Sequence, residues 1–520
     1  MSQTDSTPTP SQQALLVAAG GDGSGDPAAL AALMASGEER RTLDKSLAKG
    51  VAWMGSVRWL TQILTWASTL IVVRRVTPAD YGLVGLASMY LGIVTMLSEF
   101  GIGTTIVALR GLTDDDHAQI NGLSMLFGVA SFLVSCAVAP LLAWFFAAPE
   151  LTMVVIAMST VFLITAARVV PQAILQRDMR FRDLALNDGL QAVALAVGAV
   201  VFAFFGFRYW TLVLSAILGA LLSTIGVVRL VRVPFKRPHW ETLRPAVTFS
   251  QQTIFARLAW YVYQNADFFV AGKVFGKELM GVYRVAWDLT STPLEKIVSM
   301  VGRVTPSVLS AAQDDKAALR RYVLRITEVL ALVTFPATIG LGLIAQDLVP
   351  LLFGPQWSGM VVPLQLLAVA AAIRAITPIL PQVLTVTGQN RRGMRINVMG
   401  ALIMPVAFYI GSRWGTTGIA VMWIVVYPVA VVIPMANAVF RQVDLRWREY
   451  LRALSASLSG VAVMSLAVWG ARSAMPPEWA RALRLGIQVG VGALAYVASL
   501  LTLHRGRVRA LVAGVRAARA

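Results

Sequence analysis

Eight cations and six carboxylates interrupt the long apolar segments of this sequence. The cations are Arg58, Arg168, Arg257, Arg284, Lys296, Arg303, Arg325 and Arg374, and the carboxylates are Glu99, Asp188, Asp267, Asp288, Glu295 and Glu328. A charge at the centre of a lipid-spanning helix costs about 2.5–3.5 kcal/mol on insertion scales, so an array of them is retained where it faces water or pairs internally. Helical phase separates the two cases. At 100° per residue, Arg284, Asp288, Ser291, Glu295 and Ser299 fall within an arc of about 80°. Pro293 interrupts that stripe and predicts a kink. Arg58, Gln62, Thr65 and Thr69 form a second stripe, and Ser250, Thr253, Arg257, Tyr261 and Gln264 a third. Arginine is always ionised and presents planar, forked donors that match phosphate oxygens. Arginines facing a common groove, with Gln62, Gln264, Tyr261 and Tyr263 beside them, suit an anionic head group bearing sugar hydroxyls. An amphipathic cargo would then keep its lipid tail in the bilayer. Arg303 and Arg374 join this set as further cavity cations. The competing reading is static pairing: Arg284 with Asp288 four residues on, Arg325 with Glu328, and Glu295 with Lys296. Arg168, Asp188 and Arg325 lie near span ends, from which a side chain can snorkel to the interface.

The elements that carry these residues are membrane helices. Of 520 residues, 57% are hydrophobic and only 14% charged, well below the roughly 25% charged content of a soluble domain. A span needs about 20 mostly apolar residues. Fourteen segments qualify, near 51–73, 83–109, 120–147, 151–175, 184–206, 209–228, 248–272, 281–311, 322–345, 357–385, 396–412, 417–440, 453–470 and 485–503. The predicted fold class is therefore all-α, a polytopic membrane protein. Residues 1–46, rich in Ser, Thr, Pro, Gly and Ala, read as a disordered cytoplasmic tail.

Basic residues orient the chain. With the N-terminus inside, the inner loops and tails hold 28 Lys+Arg and the outer loops nine, so both termini are predicted to be cytoplasmic. The net charge of +18 is then mainly an orientation signal, and nucleic acid is excluded as a partner. One cysteine, Cys136, excludes a disulfide framework and a Cys-based metal site. The three histidines, His117, His239 and His504, fall outside the apolar segments. No P-loop, GxSxG or HExxH motif is present, and no outer loop is long enough to hold a catalytic domain. The composition leaves transport, with no enzyme activity, no cofactor and no metal.

The sequence is also written twice. An offset of 199 residues sets Arg58 on Arg257, Arg74 on Lys273, Gly82 on Gly281 and Gly103 on Gly302. Further on, an offset of 210 sets Pro171-Gln172 on Pro381-Gln382, Arg182 on Arg392 and Asn187 on Asn397. Six spans per repeat make the repeats parallel, related by an axis along the membrane normal. The predicted domains are a first lobe at 47–230, a basic cytoplasmic linker at 231–247 and a second lobe at 248–440. Two peripheral helices occupy 441–504, and a basic cytoplasmic tail 505–520. A cavity between the pseudo-symmetric six-helix lobes would open alternately to either side.

Three markers carry a family resemblance. The first is Lys49-Gly50-Val51-Ala52-Trp53 with Arg75-Val76-Thr77-Pro78-Ala79-Asp80-Tyr81-Gly82 and Glu99-Phe100-Gly101-Ile102-Gly103. The second is the loop Leu175-Gln176-Arg177-Asp178-Met179-Arg180-Phe181-Arg182. The third is Ala266-Asp267 followed by Gly281-Val282-Tyr283, Pro293 and Pro306. Over residues 45–440 the chain resembles the Wzx-type flippases, the polysaccharide-transporter branch of the multidrug/oligosaccharidyl-lipid/polysaccharide exporter superfamily. The resemblance implies a V of two six-helix lobes in the bacterial inner membrane. It implies an undecaprenyl-pyrophosphate-linked oligosaccharide as cargo, flipped from the cytoplasmic to the periplasmic leaflet for capsule, O-antigen or exopolysaccharide synthesis. A polysaccharide polymerase and export machinery are the implied partners. Arg58, Arg257 and Arg284 are the implied phosphate contacts, and an ion gradient the implied means of reset. Protons or sodium would bind at Asp288, Glu295, Asp267 or Glu99. A peptidoglycan-precursor flippase, a cation-coupled small-molecule exporter and a non-transporting scaffold are the alternatives.

Overall fold

A computed structural model describes residues 61–98, 106, 113–238 and 240–507, with the side chains of 97–98, 240–257, 299–301, 303–304 and 306–307 outside the description. The expected tail at 1–46, Arg58, Glu99 and residues 508–520 lie outside the described residues. Every regular element among the described residues is helical.

In chain order these are α1 (61–75), α2 (Pro78–Ser98), α3 (Asp114–Phe145), α4 (Glu150–Arg177), α5 (Phe181–Phe204) and α6 (Trp210–Leu230). Next come α7 (Trp240–Ala311), α8 (Lys316–Leu352), a 3-10 turn at Pro355–Met360, α9 (Val361–Ile376) and α10 (Ile379–Val386). The chain ends with α11 (Asn390–Gly411), α12 (Gly415–Tyr427), α13 (Ile433–Val443), α14 (Trp447–Ala474) and α15 (Arg481–Leu503). Ten helical stretches of the described residues are long and apolar enough to cross a membrane. Their outward faces are apolar, as at Leu133, Leu402, Leu466 and Leu494. Lipid satisfies no backbone group, so helices that bond internally are the structures such a sequence can place there.

The helix α7 has 72 residues, which would span about 108 Å if straight, more than three bilayer cores. It doubles back instead. Gly276 adopts φ 74° and ψ −173°, a conformation open to glycine and strained for other residues. The arms on either side run antiparallel, so that Tyr283 reaches Asp267 and the Trp287 ring lies 5.4 Å from that of Phe268. The dihedral break thus falls at Gly276, and the backbone stays helical through Pro293. A second hairpin turns at 412–415, where Gly411 packs on Gly418 and Gly400 on Val431.

The two ends of the bundle differ. Turns at 76–77, 146–149, 205–209, Gly276, 353–360, 412–414 and 475–480 share one end, here the Gly276 end. Exposed Trp144, Phe205, Trp414, Trp469 and Trp479 ring it, as amphipathic aromatics do at a membrane interface. The opposite, linker end holds 178–180, 231–238, 312–315, 387–389 and 444–446. There the extended segment 231–238 lies on α3: Lys236 donates its N–H to the Ala118 carbonyl (3.1 Å), and Asn121 donates to the Val233 carbonyl (3.0 Å).

In the first half of the chain α3 packs on α4, α5 on α6, and α4 on α6. In the second half α8 packs on α9 and α11 on the α7 hairpin, while α14 and α15 pair with each other against α8. The principal junction between the halves is α2 along α7.

Candidate functional site

The junction of α2 and α7 presents the charged stripe. Arg284 lies about 12 Å below the Gly276 turn and Asp288 about 18 Å below it, taking 1.5 Å per residue. Arg284 Nε donates to Asp288 Oδ2 at 3.0 Å, and the two side chains keep 28% and 48% of their exposure. The sequence placed both on one helical face four residues apart, and they do pair. Their exposure near mid-membrane sets them apart from a sealed internal ion pair. The Arg284 guanidinium also lies 4.9 Å from the Phe268 ring centre, and its alkyl stem faces Gly85 of α2. A Cβ at position 85 would meet that stem at 3.5 Å, an ordinary van der Waals contact.

Arg374 arrives from α9. Its guanidinium stacks 4.0 Å over the Trp287 ring and 5.4 Å from that of Trp423, and Nη1 donates to Ser291 Oγ at 3.1 Å. Arg374 thereby joins the Arg284–Asp288–Ser291–Glu295 stripe from a different helix. Glu295 is exposed one turn beyond Ser291, with Lys296 exposed beside it.

Asp267 stands behind this wall. It is fully buried. Tyr283 donates its hydroxyl to Oδ2 (2.9 Å), Trp423 its indole N–H to the same oxygen (3.0 Å), and the Phe268 N–H reaches Oδ1 (2.9 Å). Three donors satisfy a buried carboxylate without a cation in direct contact. Tyr261 crosses the seam and donates its hydroxyl to the Met89 carbonyl of α2 at 2.9 Å. Gln264 and Gln62 are half-buried, on α7 and α1 respectively. Arg257 and Arg303 belong to α7, and their side chains lie outside the description, as Arg58 and Glu99 do entirely. The fold therefore joins Arg284, Asp288 and Glu295 along one surface, with the Arg374 guanidinium packed beside it on Trp287 and Ser291 and Asp267 in the layer behind.

Other embedded charges are held by their own helices' neighbours. Arg168 does not snorkel. It donates to Gln191 (3.1 Å) and Ser223 (2.6 Å), and Asn187 donates to the same Ser223 hydroxyl (2.8 Å), which ties α4, α5 and α6 together. Glu328 meets Arg507 at 3.6 Å. Asp347, which sequence reasoning missed, is buried near the end of α8 and accepts from Gln488 of α15 at 2.7 Å, with Arg484 at 3.6 Å. Trp287 and Trp423 were missed as well. Each reads in sequence as one more apolar residue, and the carboxylate and guanidinium that they serve come from other helices. Among the described residues no group of three His, Cys, Asp or Glu side chains converges to hold a metal ion.

Comparison with known proteins places this geometry. Solved structures share the fold: the lipid II flippase MurJ in an inward closed conformation (TM-score 0.73, 12% identity, 88% of this chain and 100% of that one). A multidrug resistance MATE family transporter in an inward-facing conformation follows (TM-score 0.59, 17% identity, 76% of this chain and 96% of that one). Among curated proteins, the lipopolysaccharide biosynthesis protein WzxC of Escherichia coli (strain K12) is 22% identical over 79% of this chain and 85% of its own. The succinoglycan biosynthesis transport protein ExoT of Rhizobium meliloti (strain 1021) is 21% identical over 91% of this chain and 96% of its own. A family model described as "Polysaccharide biosynthesis protein" matches residues 71–362. That match takes in α2, the α7 hairpin and the whole Arg284–Glu295 stripe, and it covers more than half of the sequence: the chain belongs to the polysaccharide biosynthesis protein family.

Proposed function

We propose that this protein is a flippase for an undecaprenyl-pyrophosphate-linked oligosaccharide, moving it from the cytoplasmic to the periplasmic leaflet for exopolysaccharide, capsule or O-antigen synthesis. The observation that carries the reading is the position of Arg284 and Arg374. Both guanidinium groups adjoin one stripe of α7: Arg284 retains access to solvent, and Arg374 packs behind it against Trp287, Trp423 and Ser291. A fixed cation there suits a diphosphate that must pass the bilayer core, since charge-assisted forked hydrogen bonds are among the strongest polar contacts. Relatives named for lipopolysaccharide biosynthesis and succinoglycan transport support the same cargo class. The reading is transport and not catalysis.

In this reading the chain forms fourteen spans. Lobes at 47–230 and 248–440 lie around a central cavity, with α14 and α15 peripheral. Both termini face the cytoplasm of a bacterial inner membrane, and the Gly276 end is periplasmic. The α2–α7 contact then closes the periplasmic side, and the cavity opens toward the cytoplasm. Arg58, Arg257 and Arg303 complete the cationic lining with Arg284 and Arg374, while Gln62, Tyr261 and Gln264 meet sugar hydroxyls. A proton or sodium ion at Asp288, Glu295, Asp267 or Glu99 resets the lobes by binding one arrangement better than the other. A polymerase and export machinery take the product.

Export in a deletion strain complemented with Arg284→Ala or Arg374→Ala tests the reading. Each variant is expected to lose most polymer export at normal protein level. Loss of one charged hydrogen bond of about 1.5–3 kcal/mol corresponds to roughly 10- to 100-fold weaker binding. Full export by both variants would refute the assignment.

A further inference from the structure

A second site stands well away from the seam. At the linker end a cleft of about 890 Å³ opens between α8, α13 and α14, lined by Arg320, Asn437, Arg441, Arg446, Trp447 and Glu449 among others. Chain geometry makes it. Asp444 ends α13 in the left-handed conformation (φ 50°), and the extended Arg446 starts α14. The sharp corner leaves a concavity where the two helices part.

The charges in this cleft do not cancel. Glu449 is committed: Arg320 donates to one of its oxygens, and the Arg446 N–H to the other at 3.2 Å. Asp444 has Lys316 at 3.9 Å. Both carboxylates are thus matched by cations of α8. Arg441 and Arg446 are exposed, and among the described residues neither side chain is engaged in an ion pair or hydrogen bond. The positive end of the 28-residue α14 adds to their field.

The neutral walls narrow the ligand class. Trp447 donates its indole N–H to Asn437 Oδ1 at 2.8 Å. Because an indole nitrogen only donates, this bond fixes the amide orientation and turns the Asn437 NH2 donors the other way. The Trp447 ring packs against Phe440 with 4.8 Å between centres and stays partly exposed, and Leu451, one turn along α14, is exposed on the same side. The cleft thus offers two forked guanidinium groups and amide donors beside an apolar rim that continues onto a lipid-facing helix. From this arrangement we infer that it binds the phosphate of an anionic lipid headgroup, with the acyl region against Trp447 and Leu451. The inference does not rest on the transport reading, because none of these residues touches the seam.

Native mass spectrometry of the full-length protein tests it, with phosphatidylglycerol, phosphatidylcholine and inorganic phosphate as probes. Phosphatidylglycerol is expected to bind saturably and phosphatidylcholine not to. Arg441→Gln/Arg446→Gln is expected to weaken phosphatidylglycerol binding roughly tenfold or more, with each single variant intermediate. Arg391→Gln/Arg392→Gln, at an exposed basic pair of the same end, is expected to leave it unchanged. Retained phosphatidylglycerol binding in the cleft variants would overturn the site. An equal loss in both double variants would also overturn it, by showing a diffuse surface charge effect. Inorganic phosphate binding that is lost in the cleft variants while phosphatidylglycerol binding persists would overturn the lipid assignment.

Discussion

Gly82 and Gly281 occupy the same place in the two sequence repeats, and in the fold they touch each other. A Cβ at Gly82 would overlap the Lys277 carbonyl, and a Cβ at Gly281 would overlap the Pro78 carbonyl. The offset that maps Gly82 onto Gly281 also maps Pro78 onto Lys277. The contact is therefore reciprocal, as in a two-fold interface where each element presents the same patch to its equivalent. Here the two elements are α2 and the second arm of α7. Around this point Lys277 pairs with Glu150 at 2.6 Å, Arg74 donates to the Leu351 carbonyl at 2.7 Å, and Trp357 donates to the Val73 carbonyl at 3.1 Å.

Gly82→Ala and Gly281→Ala should force these helices apart, because the atoms in the way are backbone and cannot rotate aside. Overpacking of this kind costs about 1–3 kcal/mol. The expected outcome is a wider seam at the Gly276 end. In a Cys136→Ser background, a reporter thiol at Asp288→Cys should react several-fold faster with an impermeant maleimide applied from that end. Glu150→Gln loosens the same end without steric strain and should shift labelling in the same direction. Unchanged labelling in all three variants would remove the idea that this contact sets the closure.

The all-helical membrane class, the Gly82–Gly281 correspondence and the Arg284–Asp288 pairing were legible in sequence, since each depends on spacing along one chain or on apolar content. Arg284 and Asp288 share a helix face whatever the rest of the fold does. What stayed hidden depends on contacts between helices. The pairing of Asp267 with Trp423, and of Asp347 with Gln488, joins residues more than a hundred positions apart, and no periodicity encodes them. The reversal in α7 was legible too, since it falls between the predicted spans 248–272 and 281–311. Pro293 keeps helical dihedrals within the second arm, so the predicted kink and the reversal are separate features. The reversal required a positive φ, which Gly276 supplies.

Asp267→Asn should destabilise the protein despite the matched shape. The native carboxylate accepts from Tyr283, Trp423 and the Phe268 N–H. An amide keeps one accepting oxygen and turns donors toward a donor, in a layer without access to water. Leaving one or two buried donors unsatisfied costs about 1–3 kcal/mol each. Thermal unfolding of the purified variant in detergent should show Tm lowered by several degrees. Trp423→Phe, which removes one donor, should recover part of the loss when combined with Asp267→Asn. A wild-type Tm for the single variant would mean that the carboxylate is not held as described.

The tie between α8 and α15 permits a test by paired substitution. Asp347 accepts from Gln488 at 2.7 Å with Arg484 at 3.6 Å, while Gln488 Oε1 and Arg484 Nε are buried without a hydrogen-bond partner. A cluster only partly satisfied stabilises little, yet removing one member strands the others. Asp347→Leu alone is therefore expected to be the most damaging change, because it leaves a half-buried guanidinium uncompensated, at less than the roughly 3–5 kcal/mol of a fully buried pair. Asp347→Leu with Gln488→Leu and Arg484→Met replaces the whole cluster by apolar groups of similar size and should return most of that loss. Tm measurements on the single, double and triple variants give the coupling directly. Additive losses through the series would show that the three side chains act independently, and that α15 is held to α8 by apolar packing alone.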